Sequence, residues 1–194
     1  MSVTKTQTGI VEPAKDTCPL FIVCQKNLDR WLDSLPKAQQ NWVRETALPA
    51  KAGTCITLPS TDGHISAAAL ITDKNLIWES AGAASRLPAG SWAADLTFAG
   101  EADLSKIQLV WGLAQYHFAP HRPEKDPNNK AQLALAKTDQ DRGVHAQLKG
   151  IHIAREMINQ PSNKMTPQGI EAAAKEIAQT YSAKVKVTKG KVLE

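Results

Sequence analysis

Five histidines, three cysteines and a scatter of carboxylates are the side chains among these 194 residues that could bind a metal or attack a carbonyl. His145 and His152 lie seven apart on a segment of helical period, hence on one face and two turns apart. Helical zinc ligands take i, i+4 spacing, as in His-Glu-x-x-His, which the sequence lacks, so both read as surface or interface residues. His117 and His121 straddle a helix end and a proline and read the same way; His64 completes the set. A serine nucleophile needs a base and an exposed turn. There is no Gly-x-Ser-x-Gly elbow, and Ser162, in Asn159-Gln160-Pro161-Ser162-Asn163, reads as turn chemistry, since Asn and Ser side chains bond to turn backbone. Cys18, Cys24 and Cys55 adjoin apolar strand residues, not the electropositive setting that activates a thiolate. The glycines build neither Gly-x-Gly-x-x-Gly nor Gly-x-x-x-x-Gly-Lys-Ser/Thr. No dense group of Asp and Glu could hold two cations. From the residues alone no catalytic, metal or substrate-binding side chain can be assigned.

The elements that would position any chemistry are clearer. Leu20 to Cys24 is a wholly apolar run suited to a buried strand. Asn27 is placed to cap a helix carrying Leu28, Trp31, Leu32 and Leu35, which Pro36 ends. Lys37 to Thr46 predicts a second helix burying Trp42 and Val43, and Gly53 to Leu58 a strand. A turn is expected at Asp62-Gly63. Ala67–Thr72 and Leu76–Trp78 flank Asp73-Lys74-Asn75 as the arms of a hairpin. A loop at Arg86–Gly90 leads into an extended Ser91 to Phe98.

A helix follows over about 103–118, with Leu104, Ile107, Trp111, Ala114 and Phe118 at helical spacing. Residues 119–130 (APHRPEKDPNNK) have the composition of a linker. The next helix, about 142–158, carries Val144, Leu148, Ile151, Arg155 and Ile158 on one face, and Pro161 ends it. Thr166-Pro167 opens a last helix, Thr as N-cap and Pro at the first helical position. Its apolar stripe is Ile170, Ala173, Ala174, Ile177 and Tyr181, and the alternating Lys184-Val185-Lys186-Val187 then predicts a strand. Strands and helices alternate, so the class is α/β.

Composition bounds the rest. Hydrophobic residues are 42% and charged residues 22%, enough for a packed core and too balanced for bulk disorder. The net charge of +4 is spread out except for Lys184, Lys186, Lys189 and Lys191. A nucleic-acid face would be denser and interleaved with aromatics. An odd cysteine count without Cys-x-x-Cys argues against a disulfide framework or structural zinc and for a reducing compartment. The polar first seventeen residues do not resemble a signal peptide, and no apolar run approaches membrane-span length. A cytoplasmic protein is expected.

One stretch is more specific. Arg155-Glu156-Met157-Ile158-Asn159-Gln160-Pro161-Ser162-Asn163-Lys164-Met165-Thr166-Pro167 resembles the segment that opens the catalytic domain of leucyl (cytosol) aminopeptidases. Upstream, Trp111-Gly112-Leu113-Ala114-Gln115-Tyr116-His117-Phe118 resembles a Trp-Ala-Leu-Gly-x-Tyr-x-Phe helix of one bacterial branch, and Leu87-Pro88-Ala89-Gly90 a Leu-Pro-x-Gly loop there. The resemblance implies an N-terminal α/β domain with a mixed sheet flanked by helices, then a linking helix and the start of a second α/β domain. On this sequence that gives a leader at 1–17, the N-terminal domain at 18–120, linker and connecting helix at 121–160, and the truncated start of the catalytic domain at 161–194. It further implies removal of N-terminal amino acids from peptides by two divalent metal ions, Mn or Zn, in a hexameric full-length parent. The family's metal-binding Lys, Asp and Glu and its Asn-Thr-Asp-Ala-Glu-Gly-Arg signature have no counterpart here, so the resemblance assigns no catalytic, metal or substrate-binding residue to this sequence. The fragment is expected to bind no metal and to be inactive alone. The competing readings are a non-catalytic module for nucleic acid, or one that assembles with a partner subunit.

Overall fold

The computed structural model describes residues 8–73, 76–118 and 130–190. Of these, residues 8–146 form one compact unit and residues 147–190 another. The first unit holds a six-stranded sheet: β1 (Ile10–Val11), β2 (Cys18–Cys24), β3 (Cys55–Pro59), β4 (Ile65–Thr72), β5 (Gly90–Phe98) and β6 (Ala131–Ala134). Their order is β1-β6-β5-β2-β4-β3. Every pair is parallel except β3 with β4.

β2 is central because it can be buried on both faces. Leu20 and Ile22 are fully buried in a cluster with Ala68, Leu70, Trp92 and Leu133, while Val23 joins Ala69, Ile71, Ile56 and Leu58. That split is the two-residue period of a pleated strand read on two apolar faces. The first face is covered by α3 (Leu76–Arg86) through Ala83 and Ala84, and by α4 (Leu104–Gln115) through Ile107 and Trp111. The second is covered by α1 (Leu28–Ser34) through Trp31 and Leu32, and by α2 (Lys37–Thr46) through Val43. A mixed sheet between helical layers is the expected class.

Several expectations fail for local reasons. The leader contains β1, which pairs with β6 at Ile10↔Leu133 and Val11↔Ala134. β6 itself lies in the stretch read as linker and connecting helix, and Ala-Gln-Leu-Ala has no β-branched residue to announce it. The predicted 67–78 hairpin is wrong. Leu76–Arg86 is helix α3, whose Glu79 carboxylate accepts the Asp73 N–H at 2.9 Å, and the hairpin partner of β4 is β3. That hairpin closes where the Ser60 N–H donates to His64 O and Gly63 sits at φ +83°, a value glycine adopts without strain. Asn27 stands at the N-cap position of α1, as expected, but its side chain makes no capping bond: its amide donates to Phe98 O at 2.9 Å, and a 3-10 turn over Gln25–Asn27 leads into the helix. Trp42 is 44% exposed, its indole N–H donating to Thr57 O, because the helix that turns Val43 inward turns its neighbour outward. The linker-like residues 119–129 lie outside the described ones.

The second unit holds the body of α5 (Arg142–Asn159) and α6 (Pro167–Thr180). On α5 the buried residues are Val144, Leu148, His152 and Ile153, whereas Ile158 is exposed. The buried face is rotated from the predicted one, so His152 takes an interior position. On α6 Ala173 and Ala178 are buried, while Ile170 and Tyr181, assigned to the apolar stripe, are exposed. Residues 184–187 form no strand: they run without regular structure.

Candidate functional site

The two weaker motifs meet. Leu87 and Ala89 from one, with Ala114 and Gln115 from the other, line a shallow pocket of about 300 Å³ with Ala84, Ser85, Lys130 and Ala131, at the N-terminal ends of β5 and β6. Its polar groups are spent on the fold. Gln115 Nε2 donates to Ala131 O at 2.8 Å, Lys130 Nζ to Gln115 O at 3.2 Å, and the Gly90 N–H to Lys130 O at 3.2 Å. Trp92 Nε1 donates to Pro88 O at 3.0 Å. A Cβ on Gly9, which sits at φ +64°, would lie 2.3 Å from Gln115 Cγ, so only glycine lets the chain enter β1 there. The pocket holds one cation, one hydroxyl and one amide and no acid–base pair. It fastens β1, β5 and β6 to α4; it has no chemistry of its own.

The main motif is a turn between two helices. The Lys164 and Met165 N–H groups both donate to Pro161 O at 2.9 Å. Thr166 Oγ1 accepts from the Gly169 N–H at 3.2 Å, and Pro167 occupies the first helical turn, as its position predicts. A Cβ on Gly169 would stand 2.4 Å from Lys164 O, so the turn folds back against the start of α6. Ser162 is exposed within it.

The remaining candidates stay apart. Among the described residues no three of His, Cys, Asp and Glu come together as a metal site. His152, read as a surface or interface residue, is buried on α5, and His145 Nε2 is buried without a hydrogen-bond partner. His121 lies outside the described residues. The cysteines are free thiols. Burial pushes the Cys55 thiol up, with the Arg86 guanidinium pulling the other way.

Sequence reasoning passed over one polar cluster that fixes the start of α5. Gln108, 1% exposed on α4, donates from Nε2 to Asp139 O at 2.9 Å and accepts the Asp141 N–H at 3.1 Å. Asp141 Oδ1 accepts from the Gly143 and Val144 N–H groups at 2.7 and 3.3 Å, and Oδ2 from Ser105 Oγ at 3.0 Å. The Ser105 hydroxyl first, then those two N–H groups, hold the Asp141 carboxyl below its ordinary range. Asp-x-Gly-Val before a helical run is an N-cap signature that could have found it.

Comparison with known proteins adds what the geometry lacks. Residues 18–136 match the family model described as M17 aminopeptidase, N-terminal domain. No curated protein matches the sequence. Among solved structures, the cytosol aminopeptidase from Coxiella burnetii is 27% identical with a TM-score of 0.84, over 96% of this chain and 41% of that one. The bottromycin maturation enzyme BotP is 18% identical, TM-score 0.63, over 91% and 40%. The same enzyme in complex with Mn gives 18% and 0.65 over 93% and 40%. At 18% identity BotP supports the fold alone. The chain thus spans about two-fifths of the length of these structures.

Proposed function

Because this chain belongs to the M17 aminopeptidase family through its N-terminal domain, we propose that it is the N-terminal portion of a leucyl-aminopeptidase-like exopeptidase that releases N-terminal amino acids from peptides. The observation that carries the reading is the family match over 18–136, supported by the likeness to a cytosol aminopeptidase across 96% of the chain. The domain assignment belongs to the same proposal: N-terminal domain at 18–120, connecting segment at 121–160, and the start of the peptidase domain from 161.

Two divalent metals, Mn or Zn, would serve the whole enzyme by polarising the peptide carbonyl and activating water. The described residues do not fit that pair, for they offer no cluster of three donors. No catalytic step is assigned to any side chain here, and the 194-residue chain is proposed to be inactive alone. A cytoplasmic, hexameric parent with peptide substrates and no nucleic-acid partner completes the reading. No described helix is long and apolar enough to cross a membrane.

The test is hydrolysis of leucine p-nitroanilide by the whole product of the source gene, beside the 194-residue chain. The whole product should release nitroaniline, lose that activity to a chelator and regain it with Mn²⁺, while the short chain releases none. A whole product inactive on a panel of aminoacyl anilides with Mn²⁺ or Zn²⁺ supplied would overturn the proposal.

A further inference from the structure

β3 is the outer strand of the sheet, and an outer strand presents backbone groups that template pairing with another chain. The opposite edge is only two residues long, at β1, whereas β3 has five. In an antiparallel pair, carbonyls alternate between facing the partner strand and facing away. Leu58 O accepts from Ser66 Oγ of β4, so it faces inward, and the carbonyls of Thr57 and Pro59 face outward. By the same alternation Cys55 O also faces outward, and α2 takes two of these three outward carbonyls, those of Thr57 and Pro59. Trp42 Nε1 donates to Thr57 O at 3.1 Å, and Gln39 Nε2 donates to Pro59 O at 3.0 Å and lies 3.1 Å from Ser66 Oγ. Pro59 has no N–H to offer. Gln39 and Trp42 are three residues apart and therefore neighbours on one helix face. The exposure of Trp42 follows from this: its ring belongs to the edge, not to the core beneath Val43.

We infer that Gln39 and Trp42 form a guard on the free edge of β3, and that without them this strand pairs with β3 of a second copy of the chain. A two-fold axis would set the two strands antiparallel, each meeting the same segment of the other, so a single surface suffices. The inference does not depend on the peptidase reading, since it rests on the sheet and α2 alone.

The experiment compares the 194-residue chain with Gln39→Ala, Trp42→Phe and the double variant by light scattering after size exclusion, over a hundredfold range of concentration. Phenylalanine keeps a ring over the strand and removes the N–H. The double variant should shift to twice the parental mass as concentration rises, and each single variant should do so only at higher concentration. Adding Thr57→Pro to the double variant removes an outward N–H without touching a bond to β4, and should restore the parental mass. Parental mass throughout in the double variant, with a native circular dichroism spectrum, would overturn the inference. So would a mass increase that Thr57→Pro leaves unchanged. Should the double variant unfold, the single variants decide: parental mass in both at the highest concentration refutes the guard.

Discussion

Replacing Gln108 by leucine isolates what the buried amide does for the junction between α4 and α5. Leucine keeps most of the buried volume and removes two hydrogen bonds, to Asp139 O at 2.9 Å and from the Asp141 N–H at 3.1 Å. Each such bond contributes about 1 kcal/mol net, and a buried backbone group left without a partner adds to that. Asp139 is exposed, so its freed carbonyl can turn to water. The expected loss is therefore about 2 kcal/mol, not the larger figure for two fully buried orphans. Urea unfolding followed by tryptophan fluorescence measures it, with Gln147→Leu, an exposed glutamine of α5, as the control. A midpoint shift equal to that of the control would refute the view that Gln108 clamps the residues leading into α5.

Other perturbations test neighbouring parts. Thr166→Ala should cost about 1 kcal/mol in the same assay by stripping the N-cap of α6. Gly169→Ala places a methyl against Lys164 O and should destabilise the 147–190 unit more than Thr166→Ala does, read by amide hydrogen exchange in α6. The carboxyls of Asp62, Asp141 and Glu171 are all held low, by Ser60, by Ser105 and by Lys175 first in each case. Their stabilisation is present above the ordinary carboxylate pKa of about 4 and is lost as pH falls through the lowered folded values. Asp141→Asn should thus flatten the acid side of a Tm–pH profile while leaving its neutral slope unchanged. Arg86→Ala removes the cation that opposes the burial of Cys55 and should slow its modification by a thiolate-selective reagent at pH 8.

The sheet was readable where burial on both faces makes a continuous apolar run, as in Leu20 to Cys24. It was unreadable where pairing alone defines the strand: Ala131–Ala134 is a strand because it lies along Gly90–Ala93 of β5, and Ile10–Val11 because it lies along Leu133 and Ala134, more than a hundred residues away. The helix over Leu76–Arg86 was misread because its first residues, Leu-Ile-Trp, favour strand, and the small residues that follow carry the packing through Ala83 and Ala84. The reverse error, the strand at 184–187, came from an alternating pattern with no partner among the described residues. For the site, the Asn159–Pro167 segment conveyed family more than chemistry, since its residues build a turn and a cap. The Gln108–Asp141 cluster escaped because a buried glutamine in a helix looks like any surface glutamine until its partners are known.

We propose that this chain is the front of a metal-dependent aminopeptidase, and the reading frame of the source gene beyond Glu194 tests that without any assay of activity. It should continue into the lysine, aspartate and glutamate donors of a metal pair and a segment like Asn-Thr-Asp-Ala-Glu-Gly-Arg. A stop codon directly after Glu194 would contradict the peptidase reading for this protein and leave a binding or assembly role in its place.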